Sequence, residues 1–140
     1  MNPCVVDASV VAIAFFQERY AAEAQALLAS DRPLHAPDLI SAEFANVVWK
    51  RRRRGEITKD EASQLMADFL RLPLVVTASG ELADVALELA MHTGRTVYDC
   101  LYLALAVKTR CILVTGDRRL ANALADGPLA AHVALVERYR

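Results

Sequence analysis

The sequence predicts an α/β fold: a mostly parallel sheet of roughly five strands, covered by helices on both faces. Two observations predict it. Short apolar runs alternate along the chain with longer stretches that carry helical spacing and capping residues, the pattern of strand–helix–strand units. Two of the runs, Cys4–Val6 and Cys111–Val114, are wholly apolar, as strands buried on both faces are. Length and composition agree. A chain of 140 residues, 55% apolar and 24% charged, can bury a proper core. With no internal repeat and no low-complexity linker, residues 1–140 read as a single domain.

Each element has its own signal. Cys4-Val5-Val6 is a buried strand that Asp7 ends, and Ser9 is the expected N-cap of a first helix over Val10–Phe16. Ala22, Ala26 and Leu27 recur near helical spacing in a second helix, roughly Tyr20–Ala29, broken by Ser30-Asp31-Arg32-Pro33. Leu34-His35-Ala36 is a short strand closed by Pro37. Asp38 is the expected cap of a long helix, Leu39–Arg54, with Leu39, Phe44, Val47 and Val48 on its apolar side and Gly55 at its end. Thr58 with Glu61 forms a capping-box pattern for a helix running to about Arg71, where Pro73 stops it. Leu74-Val75-Val76 is a β-branched strand, and Ser79 is expected to cap a helix to about His92, ended by Gly94. Tyr98–Lys108 is the next helix and Cys111–Val114 the next strand. Asp117 to about Ala125 is helical, Gly127-Pro128 turns, and His132–Val136 is the last strand.

Several classes are excluded or disfavoured by composition. The longest apolar runs, Val10–Phe16 and Leu101–Val107, are far too short to cross a bilayer. The N-terminus lacks a Lys/Arg-rich start before an apolar segment, and Asp7 interrupts it early, so no signal peptide and a cytoplasmic location are expected. Cys4, Cys100 and Cys111 are odd in number and form no CxxC spacing; they read as small buried apolar residues rather than a disulfide framework or a zinc site. A net charge of −1 argues against a protein that coats nucleic acid non-specifically, but leaves room for a nuclease with a local basic patch.

The chemistry-bearing residues are carboxylates. In an open parallel sheet, function gathers outside the C-terminal strand ends, and Asp7 and Asp117 stand at two such ends. Asp99 lies in the first turn of a helix, where the dipole favours an anion. Glu43 lies one turn into the long helix, with Asn46 on the same face. Taken singly, each has a plain structural role: a helix cap or turn for Asp117, a first-turn charge for Asp99, a solvated helix residue for Glu43. Taken together, three acids flanked by apolar sequence are poorly explained by solvation, and clustered acids repel unless a cation neutralises them. All-oxygen ligands favour a hard ion such as Mg²⁺ or Mn²⁺, which activates water and stabilises charge on a phosphodiester.

Four stretches carry a family resemblance: Val5-Val6-Asp7-Ala8-Ser9, Pro37–Asn46, Tyr98-Asp99-Cys100-Leu101-Tyr102-Leu103-Ala104, and Leu113-Val114-Thr115-Gly116-Asp117-Arg118. In this order and spacing, the chain resembles a PIN-domain ribonuclease, and within that group the VapC toxins of type II toxin–antitoxin pairs. The resemblance implies a PIN-like three-layer α/β/α sandwich. It further implies that Asp7, Glu43, Asp99 and Asp117 hold one or two Mg²⁺ or Mn²⁺ ions, Asp7 and Asp99 directly, Glu43 and Asp117 directly or through water. Ser9, Asn46 and Thr115 match polar positions around such sites; Ser9 and Thr115 can equally be only a cap and a strand-end residue. The implied reaction is hydrolysis of single-stranded RNA (tRNA, rRNA or mRNA) by an activated water. The implied partners are a VapB-like antitoxin, whose C-terminal segment covers the acidic groove, and a second copy in a homodimer.

Other features are less specific. Lys50-Arg51-Arg52-Arg53-Arg54 complements a helix C-terminus, yet five consecutive cations point around the whole helix; with Arg118 they are candidate contacts for RNA or a partner. His35, His92 and His132 have no ligand spacing and read as surface or packing residues. Trp49, Phe15 and Phe16 read as core or interface residues rather than base-stacking ones. Two further readings stay open beside the toxin: an RNA-processing PIN nuclease outside a toxin–antitoxin pair, and a non-catalytic PIN-fold binding module. A phosphatase with Asp7 as nucleophile is weaker, because Asp7-Ala8-Ser9 lacks a second acid two residues on.

Overall fold

The computed structural model describes residues 2–139. Five strands form one sheet: β1 (Cys4–Val6), β2 (Leu34–Pro37), β3 (Leu74–Thr77), β4 (Ile112–Thr115) and β5 (Val133–Leu135). Their order across the sheet is β3-β2-β1-β4-β5 and every neighbouring pair is parallel. Parallel neighbours need long crossovers, and seven helices supply them. These are α1 (Ala8–Phe15), α2 (Ala21–Ala29), α3 (Leu39–Arg53), α4 (Lys59–Leu70), α5 (Ala83–Thr93), α6 (Val97–Thr109) and α7 (Arg118–Leu124). The result is the three-layer α/β/α arrangement with a five-stranded sheet that the sequence predicts.

From β1 the chain steps outward to β2 and β3, then returns to place β4 on the other side of β1. The direction of travel reverses between β1 and β4. In such sheets the crevice beyond the C-terminal ends at the reversal is where ligands bind. Asp7 follows β1 and Asp117 follows β4, so the two acids flank that crevice.

The core explains why the inner strands β1 and β4 are so apolar, whereas Val75 and Val76 of the edge strand β3 are exposed. Cys4, Val5, Val6, Leu113 and Val114 have no exposed surface. Helix α6 is buried along its whole middle, Cys100 to Ala106, because it lies against β1, β2 and β4 while α5 covers it from outside. In α3, Ile40, Phe44 and Val48 recur every fourth residue and are the ones buried. Phe44 stacks on Phe69 of α4 with centroids 4.9 Å apart and meets Phe15 edge-on at 5.4 Å. Phe15 and Phe16 therefore pack as expected. Trp49 lies outside the core: it is 53% exposed, with the Arg53 guanidinium 5.3 Å from its ring centroid. The all-basic turn beside it turns that face of α3 to solvent.

The helix starts show where local signals were reassigned. Thr58 and Glu61 make both bonds of the capping box, as predicted. At α1 the cap is Asp7, two residues earlier than Ser9: the strand ends in extended backbone at Asp7 (φ −106°, ψ 176°), which aims its carboxylate at the Ser9 and Val10 amides. Asp38 does not cap α3. Its backbone is already helical, so its carboxylate instead accepts from the Ser79 amide (3.0 Å) and hydroxyl. Ser79 in turn opens a 3₁₀ turn over Ser79–Glu81 before α5, while its hydroxyl accepts from the Leu39 amide at 3.3 Å. The pair ties the exit of β3 to the entry of α3. Among the described residues, no helix is long and apolar enough to cross a membrane.

Candidate active site

Asp7 is the centre of the crevice. It is buried, and each of its oxygens is held. Oδ1 accepts from the Ser9 amide at 3.1 Å, the Ser9 hydroxyl at 2.5 Å and the Val10 amide at 3.3 Å. Oδ2 accepts from the Thr115 hydroxyl at 2.5 Å. The two hydroxyls reach across to the β4 end as well: Ser9 Oγ accepts from the Gly116 amide at 2.7 Å, and Thr115 Oγ1 accepts from the Asp117 amide at 3.0 Å. Ser9 and Thr115 thus lock the ends of β1 and β4 to one carboxylate. Gly116 leaves room for this closeness: a Cβ there would lie 2.2 Å from Ile13 Cδ1, which would have to turn away, and 3.3 Å from Ser9 Oγ.

Asp117 caps α7, its Oδ1 accepting from the Arg119 amide at 2.9 Å and the Leu120 amide at 3.2 Å. The capping role and a position beside Asp7 are both realised; the Asp117 charge is one cause of the Asp7 shift described below. On the other side, Glu43 of α3 meets Tyr102 of α6, whose hydroxyl donates to Glu43 Oε1 at 2.5 Å. Asp99 stands one turn before Tyr102, its amide donating to the Thr96 cap at 3.1 Å.

The electrostatics report a cluster of like charges. Burial pushes the Asp7 carboxyl from 3.8 up to about 6, against the Ser9 and Thr115 hydrogen bonds that hold it down, and Asp117 raises it further. Burial likewise raises Glu43, the Tyr102 hydroxyl opposes this, and Asp99 adds to the rise. The Tyr102 phenol is driven far above its usual range by burial first, then by Glu43, Asp7 and Asp99. Glu43, Asp7 and Asp99 therefore all act on one phenol.

The structure brings Asp7, Glu43, Asp99 and Asp117 to this one end of the sheet, with Ser9 and Thr115 between them. Asn46 lies one turn beyond Glu43 on α3 and is exposed. The basic run is less free than the sequence suggests. Arg51 is bonded to Glu18, lies 3.5 Å from Glu56 and stacks on Phe16 at 4.2 Å. Arg54 pairs with Glu56 at 3.3 Å, Arg52 donates to the Ile57 carbonyl at 3.3 Å, and Arg118 pairs with Glu137 at 2.5 Å. Two residues of the site escaped the sequence reading. Tyr102 looked like one more apolar residue of α6, although its spacing three residues after Asp99 puts both on one helix face. Arg95, four residues before Asp99, donates to Asp99 Oδ2 at 3.2 Å; the i,i+4 opposite-charge spacing was its signal.

The donor set fits a hard divalent cation. All candidate ligands are carboxylate oxygens, and two of them carry raised pKa values from burial beside like charge, a cost that a cation relieves. Among the described residues, no three acids, imidazoles or thiols converge tightly enough to cage an ion by themselves. An ion here would complete its shell with water, as Mg²⁺ does.

Comparison with known proteins gives one consistent result. The family model described as PIN domain matches residues 4–124. Ribonuclease VapC3 of Pyrobaculum aerophilum is 39% identical over 120 residues, covering 84% of this chain and 92% of that protein. Ribonuclease VapC1 of Mycobacterium tuberculosis is 31% identical over 127 residues, covering 88% and 92%. Among solved structures, PAE2754 from Pyrobaculum aerophilum superposes with a TM-score of 0.72 at 26% identity, covering 96% of this chain and 84% of that one.

Proposed function

The chain belongs to the PIN-domain family, and from that premise we propose that it is a divalent-metal-dependent endoribonuclease acting as the toxin of a toxin–antitoxin pair. The observation that carries this reading is the buried Asp7 carboxylate, fixed by Ser9 and Thr115 at the sheet's switch point, with Asp117 acting on it and with Glu43 and Asp99 acting alongside it on the Tyr102 phenol. The names of the relatives, ribonucleases of the VapC group, support RNA as substrate, and the antitoxin partner rests on the resemblance to VapC toxins. A cytoplasmic homodimer completes the proposal.

Asp7 and Asp99 would hold Mg²⁺ or Mn²⁺ directly, and Glu43 and Asp117 directly or through water. A bound divalent ion supplies a water of lowered pKa and stabilises charge on the phosphodiester. The protein's own part is positioning. Ser9 and Thr115 take the lone pairs of Asp7 that point into the protein and fix its plane. Tyr102 commits Glu43 Oε1 and leaves Oε2 for the crevice. Arg95 balances the charge of Asp99, which would share its carboxylate between that guanidinium and a bound ion. The cap bonds of Asp117 hold Oδ1 against α7, so its other oxygen serves the crevice.

The test is cleavage of tRNA and ribosomal RNA by the purified chain, free of partner, with Mg²⁺ or Mn²⁺ and with chelator, beside Asp7→Asn and Asp99→Asn. Cleavage that survives chelation or both substitutions refutes the metal mechanism. Growth arrest on expression, relieved by the neighbouring gene's product, tests the toxin role.

A further inference from the structure

We propose that the cavity beside Asp117 is a subsite for one nucleotide of single-stranded RNA, next to the phosphate that is cut; this rests on the nuclease reading above. The cavity, about 370 Å³, opens between the loop after α1 and the start of α7, and its volume lies in the range of small-ligand sites, roughly 300–1,000 Å³. Gly116 and Asp117 form one wall and Arg19 and Tyr20 another. Asp117 belongs both to this cavity and to the acidic crevice, so an RNA strand held at the acids continues into it.

Two arginines of the cavity, rather than its net charge, fit it to an anion. Three arginines line it, Arg19, Arg118 and Arg119, together with Glu18, Asp117 and Glu137. Each acid is already engaged: Glu18 by Arg51, Glu137 by Arg118, and Asp117 by the Arg119 and Leu120 amides. The guanidinium groups of Arg19 and Arg119 have no carboxylate partner among the described residues. A ligand that satisfies them is rich in acceptors and negatively charged.

The aromatic component favours a nucleotide over an acidic peptide. The Arg19 guanidinium lies 4.9 Å from the Tyr20 ring centroid and that of Arg118 5.8 Å, and Arg118 Nη2 donates to the Tyr20 hydroxyl at 3.5 Å. Unpaired bases stack on aromatic rings and on guanidinium planes alike, and this layer offers both. The loop that presents it is unusual in its backbone. Gln17 (φ 51°) and Tyr20 (φ 71°) are two of the three non-glycine residues with positive φ among the described residues, a conformation that persists where the surroundings hold it and that clusters at ligand sites.

The experiment measures the affinity of a labelled single-stranded RNA oligonucleotide by fluorescence anisotropy, with Mg²⁺, on the full chain carrying Asp7→Asn so that the RNA stays intact. Added to that background, Arg19→Gln, Arg119→Gln and Tyr20→Leu each weaken binding about fivefold or more, while Tyr20→Phe, which keeps the ring, stays within about twofold. In the wild-type chain, which keeps Asp7 and cuts RNA, the same substitutions raise KM for the oligonucleotide. The arginines are exposed, so their variants decide the matter even where Tyr20→Leu fails to fold. RNA affinity unchanged in the arginine variants, while the parent binds and cuts RNA, overturns the subsite alone. Unchanged RNA affinity with lost binding of poly-glutamate makes the cavity a protein site and overturns it too. A parent chain that neither binds nor cuts RNA overturns the nuclease reading as well.

Discussion

Replacing Asp7 by Asn should stabilise the metal-free protein at neutral pH. The folded-state carboxyl titrates at about 6 against 3.8 when unperturbed. Between these values the folded state binds the proton and the unfolded state does not, so stability falls as pH rises through the window and the loss is complete above about 6. The displacement corresponds to about 3 kcal/mol. Asn is nearly isosteric and caps helices as well as Asp. Its carbonyl oxygen can keep the Ser9 and Val10 amides, and its amide can donate to Thr115, whose hydroxyl then turns to Ser9 Oγ 3.3 Å away. The expected gain at pH 7 is therefore about 1–3 kcal/mol, the lower end allowing for the imperfect exchange of donors.

The assay is urea unfolding with chelator between pH 4 and 8. The wild-type chain should lose stability from about pH 4 to 6, and Asp7→Asn should flatten that slope. Saturating Mg²⁺ should raise wild-type stability at pH 7 by mass action and raise the variant's much less. An Asp7→Asn protein less stable than wild type at pH 7 in chelator, with the wild-type slope retained, refutes the claim that an uncompensated buried charge stands at the crevice.

Three further outcomes follow from single contacts. Tyr102→Phe removes the donor that holds the Glu43 carboxyl down, so Glu43 rises further and the acid limb of the pH–rate profile moves to higher pH; an unmoved limb separates Tyr102 from the reaction. Thr58→Ala breaks the capping box of α4 and should cost about 1 kcal/mol in urea unfolding while RNA cleavage stays at the wild-type rate. Lys50→Ala and Arg53→Ala remove cations without a carboxylate partner among the described residues, and should flatten the salt dependence of RNA binding by about 0.7 per lost phosphate contact, whereas Arg51→Ala should lower the melting temperature through Glu18, Glu56 and Phe16.

How far the sequence disclosed this arrangement depended on whether a residue's signal was local. Asp7 and Asp117 were legible because a wholly apolar strand ending in an acid can only present that acid beyond the sheet. The capping box at Thr58 was legible for the same reason: both partners lie within one turn. Asp38 and Ser79 were misread because each has a cap's chemistry, and only the pairing of β2 with β3 brings them together across 41 positions. The basic run illustrates the opposite failure, since adjacent cations look free until Glu18 and Glu56 fold onto Arg51 and Arg54.

Tyr102 is the most instructive omission. In a helix buried from Cys100 to Ala106, a tyrosine has the same spacing as a leucine, and nothing in its neighbours announces a polar duty. Its hydroxyl cannot be left unpaired in that core without cost. The acceptor it finds is a carboxylate delivered from α3, 59 positions away. The pairing serves both residues: the phenol is satisfied, and Glu43 is held at the crevice by a donor that remains neutral because burial first, and the surrounding acids after it, drive its ionisation out of range. A second carboxylate network, Asp7 with Ser9 and Thr115, is built on the same plan across 106–108 positions. In both, hydroxyls rather than cations hold the acids in place, and the arrangement therefore keeps the crevice negative. Among the described residues, only Arg95 offsets it directly, at Asp99. A fold stabilised for its own sake would pair or remove these charges; retaining them, held by neutral donors, is the configuration that leaves a place for a divalent cation.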